Sequence, residues 1–196
     1  MKMLFALALL VSPTIGVNDA VAELFKFAQN STTVKFTCGA GLAGIEGRFP
    51  DVYGHVVVGH KGSGQARAHA TIKTASMTTG SAFLDSQLRG RHYFYVARHP
   101  TIQFDGRATT TDDRGQARMR GTLSIRGIKK PISFPVTYMR SGDRNARIDP
   151  FEASDVVAGD VFFAKFPILR SDYGMGGWDI IVPNKCEVEI RASLRK

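Results

Sequence analysis

The chain has 196 residues, of which 43% are hydrophobic and 22% charged, and 26 Lys and Arg against 17 Asp and Glu give a formal net charge of +9. This length and composition predict one domain with a substantial core and exclude a disordered chain. After the N-terminus, no apolar run approaches the roughly 20 residues that a transmembrane helix needs.

The N-terminus has the pattern of a secretory signal peptide. Lys2 precedes an apolar run over residues 3–11, and Ala20 and Ala22 supply the small residues of a cleavage site. We expect residues 1–22 to be removed, which leaves a periplasmic or secreted domain over residues 23–196. A buried N-terminal helix is the alternative interpretation.

The mature domain keeps the net charge of +9, because the predicted signal peptide contains one basic and one acidic residue. Its basic side chains are spread over many strands and loops, which indicates a solvated surface. Peripheral contact with anionic membrane lipids is the next interpretation, and nucleic acid is not an expected partner.

Most of the mature chain alternates polar and apolar residues with the period of a β-strand. Extended segments, which together make about eight strands, are predicted in chain order at 24–27, 33–38, 45–58, 66–77, 101–104, 107–111, 119–125, 132–138, 162–170 and 187–194. One segment, residues 81–96, has apolar residues at three-and-four spacing and predicts a short helix.

The clearest signal is a β-hairpin over residues 119–138. Its two arms place apolar side chains on one face and polar side chains on the other, on both sides of a break at residues 126–131. The break contains Gly127, which can take positive φ, and Pro131, which suits the first residue of a strand.

The pattern therefore predicts an all-β fold, an antiparallel barrel of about eight strands with one short helical insertion. Closure into a barrel removes the sheet edges and turns every inward row toward one cavity. Small inward residues such as Ala68 and Ala70 predict that space remains inside, and a solid core is the alternative.

Several segments together resemble the YceI-like family of polyisoprenoid-binding, lipocalin-like periplasmic proteins. They are Gly47 to Phe49, Ala75 to Gly80, Asp85 with Leu88, His99 to Phe104, Gly121 to Ile132, and Arg170 to Met175.

The resemblance implies an eight-stranded lipocalin-like barrel that binds or carries a polyisoprenoid or another long-chain amphiphile, with no other cofactor. Leu84 and Gln87 stand where the family often has Arg and His, so an apolar tail is a firmer expectation than a charged head group. An interaction protein with a filled barrel is the alternative function, and a lipid hydrolase or isomerase is a third.

Residues of inward parity are the candidate ligand-binding residues of the cavity. They are Phe36, Val56, Ala68, Ala70, Ile72, Ile102, Phe104, Leu123, Ile125, Phe134, Val136, Phe162, Phe166, Arg170, Val188 and Ile190. Arg170 is the charged member, and we expect it near a barrel mouth. There it would either form an ion pair with Asp85 or Asp172 or hold an anionic ligand group.

Enzyme signatures are sparse: the sequence has no Gly-x-Ser-x-Gly motif, Walker loop or metalloprotease helix, and we predict no catalytic residues. The histidines invite a metal hypothesis, since a loop centred on Gly62 would pair His55 with His69 on the outer face. Two imidazoles without a third ligand do not make a functional site, so no metal is expected.

Cys38 and Cys186 have the inward parity of their strands and lie near opposite ends of the mature chain. Barrel closure brings the last strand beside one of the first, and an exported protein meets an oxidising compartment. We predict a disulfide between them, with two free buried thiols as the alternative.

Overall fold

The computed structural model describes residues 22–39, 44–59, 65–110, 116–139, 160–177 and 182–196. Residues 1–21 of the predicted signal peptide and Gly62, the predicted centre of one loop, lie outside this part of the chain. The helix is α1, Ala82–Arg89. The strands are β1 Glu23–Phe27, β2 Thr33–Cys38, β3 Ile45–Phe49, β4 Val52–Val58, β5 Gln65–Lys73, β6 Thr101–Thr110, β7 Gln116–Ile125, β8 Ile128–Met139, β9 Asp160–Leu169 and β10 Lys185–Arg195.

The strands form one antiparallel sheet that closes on itself. Their order is β1-β4-β5-β6-β7-β8-β9-β10-β2-β3, and a further pairing of β1 with β10 completes the ring. β1 and β2 follow one another in the chain and both pair with β10, so they form one bent strand. β3 pairs with β2 and β4 pairs with β1, so β3 and β4 form a second bent strand. Counted this way the barrel has eight strands, which confirms the predicted fold class.

The β7–β8 hairpin turns more tightly than the sequence predicted. Ile125 pairs with Ile128, so the turn contains only Arg126 and Gly127, with φ of 54° and 75°. Two consecutive positive φ values define the type I′ turn that matches the twist of a hairpin. The prediction that the second arm begins after Pro131 was therefore wrong, because β8 begins at Ile128.

The way in which β8 pairs with its neighbours allows the strand to contain two prolines. A two-residue turn makes Ile125–Ile128 a hydrogen-bonded pair, so Pro131 and Pro135 occupy positions whose nitrogen faces away from β7. On that side, within the described chain, β9 pairs with β8 only from Val136 to Met139. The absence of an N–H group on these prolines therefore removes no backbone hydrogen bond between strands.

Residues 128–135 of β8 and 165–169 of β9 do not pair with each other, and we call these two stretches the β8–β9 seam. The stacked rings of Phe134 and Phe166, with centroids 4.2 Å apart, lie across it. Along the seam, these two neighbouring strands of the barrel are not joined by the pairing that joins them from Val136 to Met139.

The helix covers the end of the barrel where β5 ends and β6 begins. Ser81 caps α1 by accepting a hydrogen bond from the Leu84 backbone N–H, and Leu88 is buried. Phe83, which contributed to the helical spacing, is instead 63% exposed. No helix in the described residues has the length and apolar character to cross a bilayer.

Candidate ligand cavity

The inward side chains of the barrel surround a cavity of about 160 Å³. All sixteen residues that strand parity selected as cavity residues line it. That they contact a ligand stays a prediction. A single buried water needs about 10–15 Å³, so the space is large enough for a ligand rather than for isolated waters.

The cavity is elongated along the barrel. On β10 its wall runs from Cys186 to Ala192, and six steps at about 3.3 Å give a length of roughly 20 Å along the tilted strand. Nearly all of the lining side chains are apolar, and those with polar groups are Thr32, Tyr93, Gln103 and Arg170. The shape and the wall suit a long apolar chain.

Small residues on neighbouring strands leave this space open. Ala68 lies opposite Gly106, and Gly106 lies opposite Gly121. The ring of Phe104 lies against both glycines, where a Cβ atom would collide with it. At Gly121 a Cβ atom would also collide with the backbone of Asp105 and Gly106, so glycine at these two positions lets the strands and the Phe104 ring approach closely.

The end of the cavity under the helix contains residues that the sequence analysis missed. Leu88, Tyr93, Phe94, Met175 and Val182 line it there. They belong to α1 or to irregular segments, where no strand parity marks the inward side. Their apolar character was the only signal in the sequence, and it did not distinguish lining from ordinary core.

An aromatic cluster strengthens this end. The ring of Phe94 packs edge-on against Phe49 and Phe36, with centroid distances of 5.4 and 6.2 Å. Such edge-to-face pairs add about 0.5–1.5 kcal/mol each beyond the area that they bury.

Tyr93 separates the cavity from a second, more polar cleft. This cleft, of about 200 Å³, is lined by Ser86, Gln87, His92 and Gly177 together with Tyr93 itself. The Tyr93 hydroxyl donates to the Gly177 carbonyl over 2.7 Å. One side chain therefore stands between the apolar interior and a polar surface next to α1.

Arg170 is 3% exposed and lies at the helix end, where its guanidinium holds the backbone of neighbouring segments. It donates from Nε to the Pro183 carbonyl (2.9 Å), from Nη2 to Val182 (2.5 Å) and from Nη1 to Met175 (3.4 Å). The ring of Tyr93 lies 5.7 Å below it. With its donors directed at these carbonyls, Arg170 fixes the wall of the cavity.

Asp85, which the sequence suggested as a partner of Arg170, bonds elsewhere. One carboxylate oxygen accepts hydrogen bonds from the Thr79 backbone N–H (2.6 Å) and hydroxyl (2.8 Å), and Arg89 lies 3.8 Å from the other. Burial raises the pKa of Asp85, but the hydrogen bonds from Thr79 and Thr78 and the charge of Arg89 together outweigh it, and the pKa lies below its usual 3.8. The charged carboxylate thus fastens α1 to the segment before it.

Cys38 and Cys186 form the predicted disulfide. The two residues pair directly across β2 and β10, with Cα atoms 4.0 Å apart. The bond ties the first bent strand to the last strand beside the cavity, since both cysteines line it.

The predicted pairing of His55 with His69 on the outer face is also present. Their rings stack at 5.7 Å, and His69 Nδ1 lies 2.6 Å from the Asp105 carboxylate. Within the described ranges, no group of three His, Cys, Asp or Glu side chains is arranged to hold a metal ion.

The sequence matches one known family over most of its length. The model of the YceI-like domain matches residues 25–194, and the chain belongs to this family. A relative, the UPF0312 protein of Pseudomonas aeruginosa, is 29% identical over 104 residues, which are 53% of this chain and 53% of that protein. The chain spans about half the length of the first curated relatives that it matches.

Solved structures share the fold. BcnA of Burkholderia cenocepacia superimposes with a TM-score of 0.72 at 20% identity, covering 87% of this chain and 99% of BcnA. A polyisoprenoid binding domain from Saccharophagus degradans, implicated in plant cell wall breakdown, gives a TM-score of 0.56 at 13% identity, covering 87% of this chain and 97% of that domain.

Proposed function

We propose that this protein binds or carries a long-chain amphiphilic lipid of the polyisoprenoid kind in the barrel cavity. The observation that carries the proposal is the cavity itself, elongated and almost entirely apolar in its wall. It speaks against the alternative of a filled barrel that only displays loops. The polyisoprenoid binding domain of the same fold supports the choice of ligand class.

The proposal extends to the place where the protein works. The signal-peptide pattern of residues 1–22 and the disulfide of Cys38 with Cys186 both suit export to the periplasm or beyond. There the protein would shield the insoluble acyl or isoprenoid chain of its lipid from water. No catalytic role is proposed.

Affinity for lipids of increasing chain length tests this function. Each buried methylene contributes about 0.8 kcal/mol, so the dissociation constant should fall about fourfold per added methylene until the cavity is full, and then level off. The measurement is a competition titration with a homologous series that shares one head group. An affinity that does not depend on chain length would contradict binding in the cavity.

A further inference from the structure

The barrel carries a concentration of positive charge on one side that the linear sequence does not reveal. The described residues of β5, β6, β7 and β8 contain seven Lys and Arg and one acidic residue, a formal charge of +6. The opposite strand, β10, mixes both signs, with Lys185, Arg191 and Arg195 beside Glu187 and Glu189. The charge of the described strands is therefore unevenly distributed.

Strand register brings four arginines together on the outer face of β5–β7. Arg67 pairs with Arg107, and Arg107 pairs with Arg120, so three exposed guanidinium side chains follow one another across adjacent strands. Arg118 lies two residues from Arg120 on the same face. We call Arg67, Arg107, Arg118 and Arg120 the arginine surface.

Within the described residues, nothing gives this arrangement a structural purpose. Strands lie about 4.8 Å apart, and like charges directly opposite one another destabilise a sheet. Asp105 is the one acidic residue among the described residues of β5–β8, and it bonds to His69. Repulsion within such a row is relieved when an anion binds to it.

We propose that the arginine surface docks the protein on a bilayer of anionic phospholipids. The guanidinium group binds phosphate oxygens through two parallel hydrogen bonds, and each basic residue near an anionic membrane adds about fivefold to the affinity.

The β8–β9 seam, which meets the arginine surface at Ser133 opposite Arg120, favours a lipid surface over another polyanion. Arg118 donates to Ser133 on the edge of the β8–β9 seam, where Lys129 and Lys130 are also exposed. Ile128 and Leu169, at the end of the seam farthest from Val136, are 38% and 43% exposed, and Ile128 lies five positions along β8 from Ser133. Cations beside exposed aliphatic side chains suit the boundary between head groups and acyl chains. The choice of a lipid surface rests on the proposed function, whereas the arginine surface itself does not.

Co-sedimentation with vesicles tests the proposal. The mature protein, residues 23–196, should bind vesicles of phosphatidylglycerol and phosphatidylcholine in equal parts, bind phosphatidylcholine alone much less, and lose binding as salt is raised. The variant Arg67→Gln, Arg107→Gln, Arg120→Gln should bind the anionic vesicles roughly a hundredfold more weakly. The matched control, Lys185→Gln, Arg191→Gln, Arg195→Gln on β10, loses the same charge and should bind within a few-fold of the unmodified protein.

Three results would overturn the inference: unmodified protein that does not prefer anionic vesicles, an arginine variant that binds as well as the unmodified protein, or a control variant that is equally weakened. Retention on soluble dextran sulfate without vesicle binding would likewise reject a bilayer as the partner. Ala68→Phe, which alters only the cavity, should leave vesicle binding unchanged, so failure of this inference is separable from failure of the proposed function.

Discussion

Replacing Ala68 by Phe should lower the affinity of the protein for a long-chain lipid at least a hundredfold. Ala68 lies on β5 between Val56 and Gly106 and lines the cavity. The added ring would occupy space that ligand carbons need. If it displaces about four methylene groups, the loss is roughly 3 kcal/mol, which is more than a hundredfold.

The same substitution should leave the barrel folded. Overpacking a dense core costs about 1–3 kcal/mol, and here the ring enters a cavity that already exists. Thr71→Phe is the control, because Thr71 lies on the same strand with the outward parity of His69. Lipid titration and thermal unfolding of both variants check the prediction. Equal affinity of the Ala68 variant and the unmodified protein would place the ligand outside the barrel.

Removing the disulfide should produce the largest change in stability. Cys38 and Cys186 are 148 positions apart, and on the chain-entropy model a crosslink of that span stabilises the fold by up to about 5 kcal/mol. The double variant Cys38→Ala, Cys186→Ala should therefore unfold at a markedly lower denaturant concentration than the oxidised protein.

A reducing agent separates the crosslink from the packing of the two side chains. Dithiothreitol should shift the unfolding midpoint of the unmodified protein toward that of the double variant and leave the double variant unchanged. A midpoint of the unmodified protein that does not respond to reduction, although alkylation shows both thiols free, would contradict a stabilising role for the bond.

The barrel wall was predictable because strand periodicity is a local property. Side chains alternate with period two, so the inward rows of β5, β8 and β10 could be chosen from the sequence, and the pairing of His55 with His69 followed from the centre of one loop. The disulfide followed in the same way from parity and closure.

Features that depend on neighbouring strands or on irregular backbone were not predictable in this way. The seam exists because the pairing of β9 with β8 ends at Val136 and Ala164, and the sequence showed only Pro131 in the predicted turn and Pro135 in the predicted strand. Tyr93 and Phe94 reach the cavity from turns without a period.

The arginine surface escaped the sequence analysis for a related reason. Arg67, Arg107 and Arg120 are separated by 40 and 13 positions along the chain, so their charges looked dispersed. Register across three strands, and not composition, makes them adjacent. A solvated surface was the natural interpretation of the sequence, and the sheet gives a reason to test a different one.

Native mass spectrometry of protein purified from its own host, combined with extraction and identification of bound lipid, tests the central claim most directly. We expect the intact protein to carry the added mass of a long-chain isoprenoid or similar lipid, and the Ala68→Phe variant purified in parallel to lack it. Protein that is ligand-free in the spectrometer, yields no lipid on extraction and takes up none of the added homologous series would contradict the proposed function.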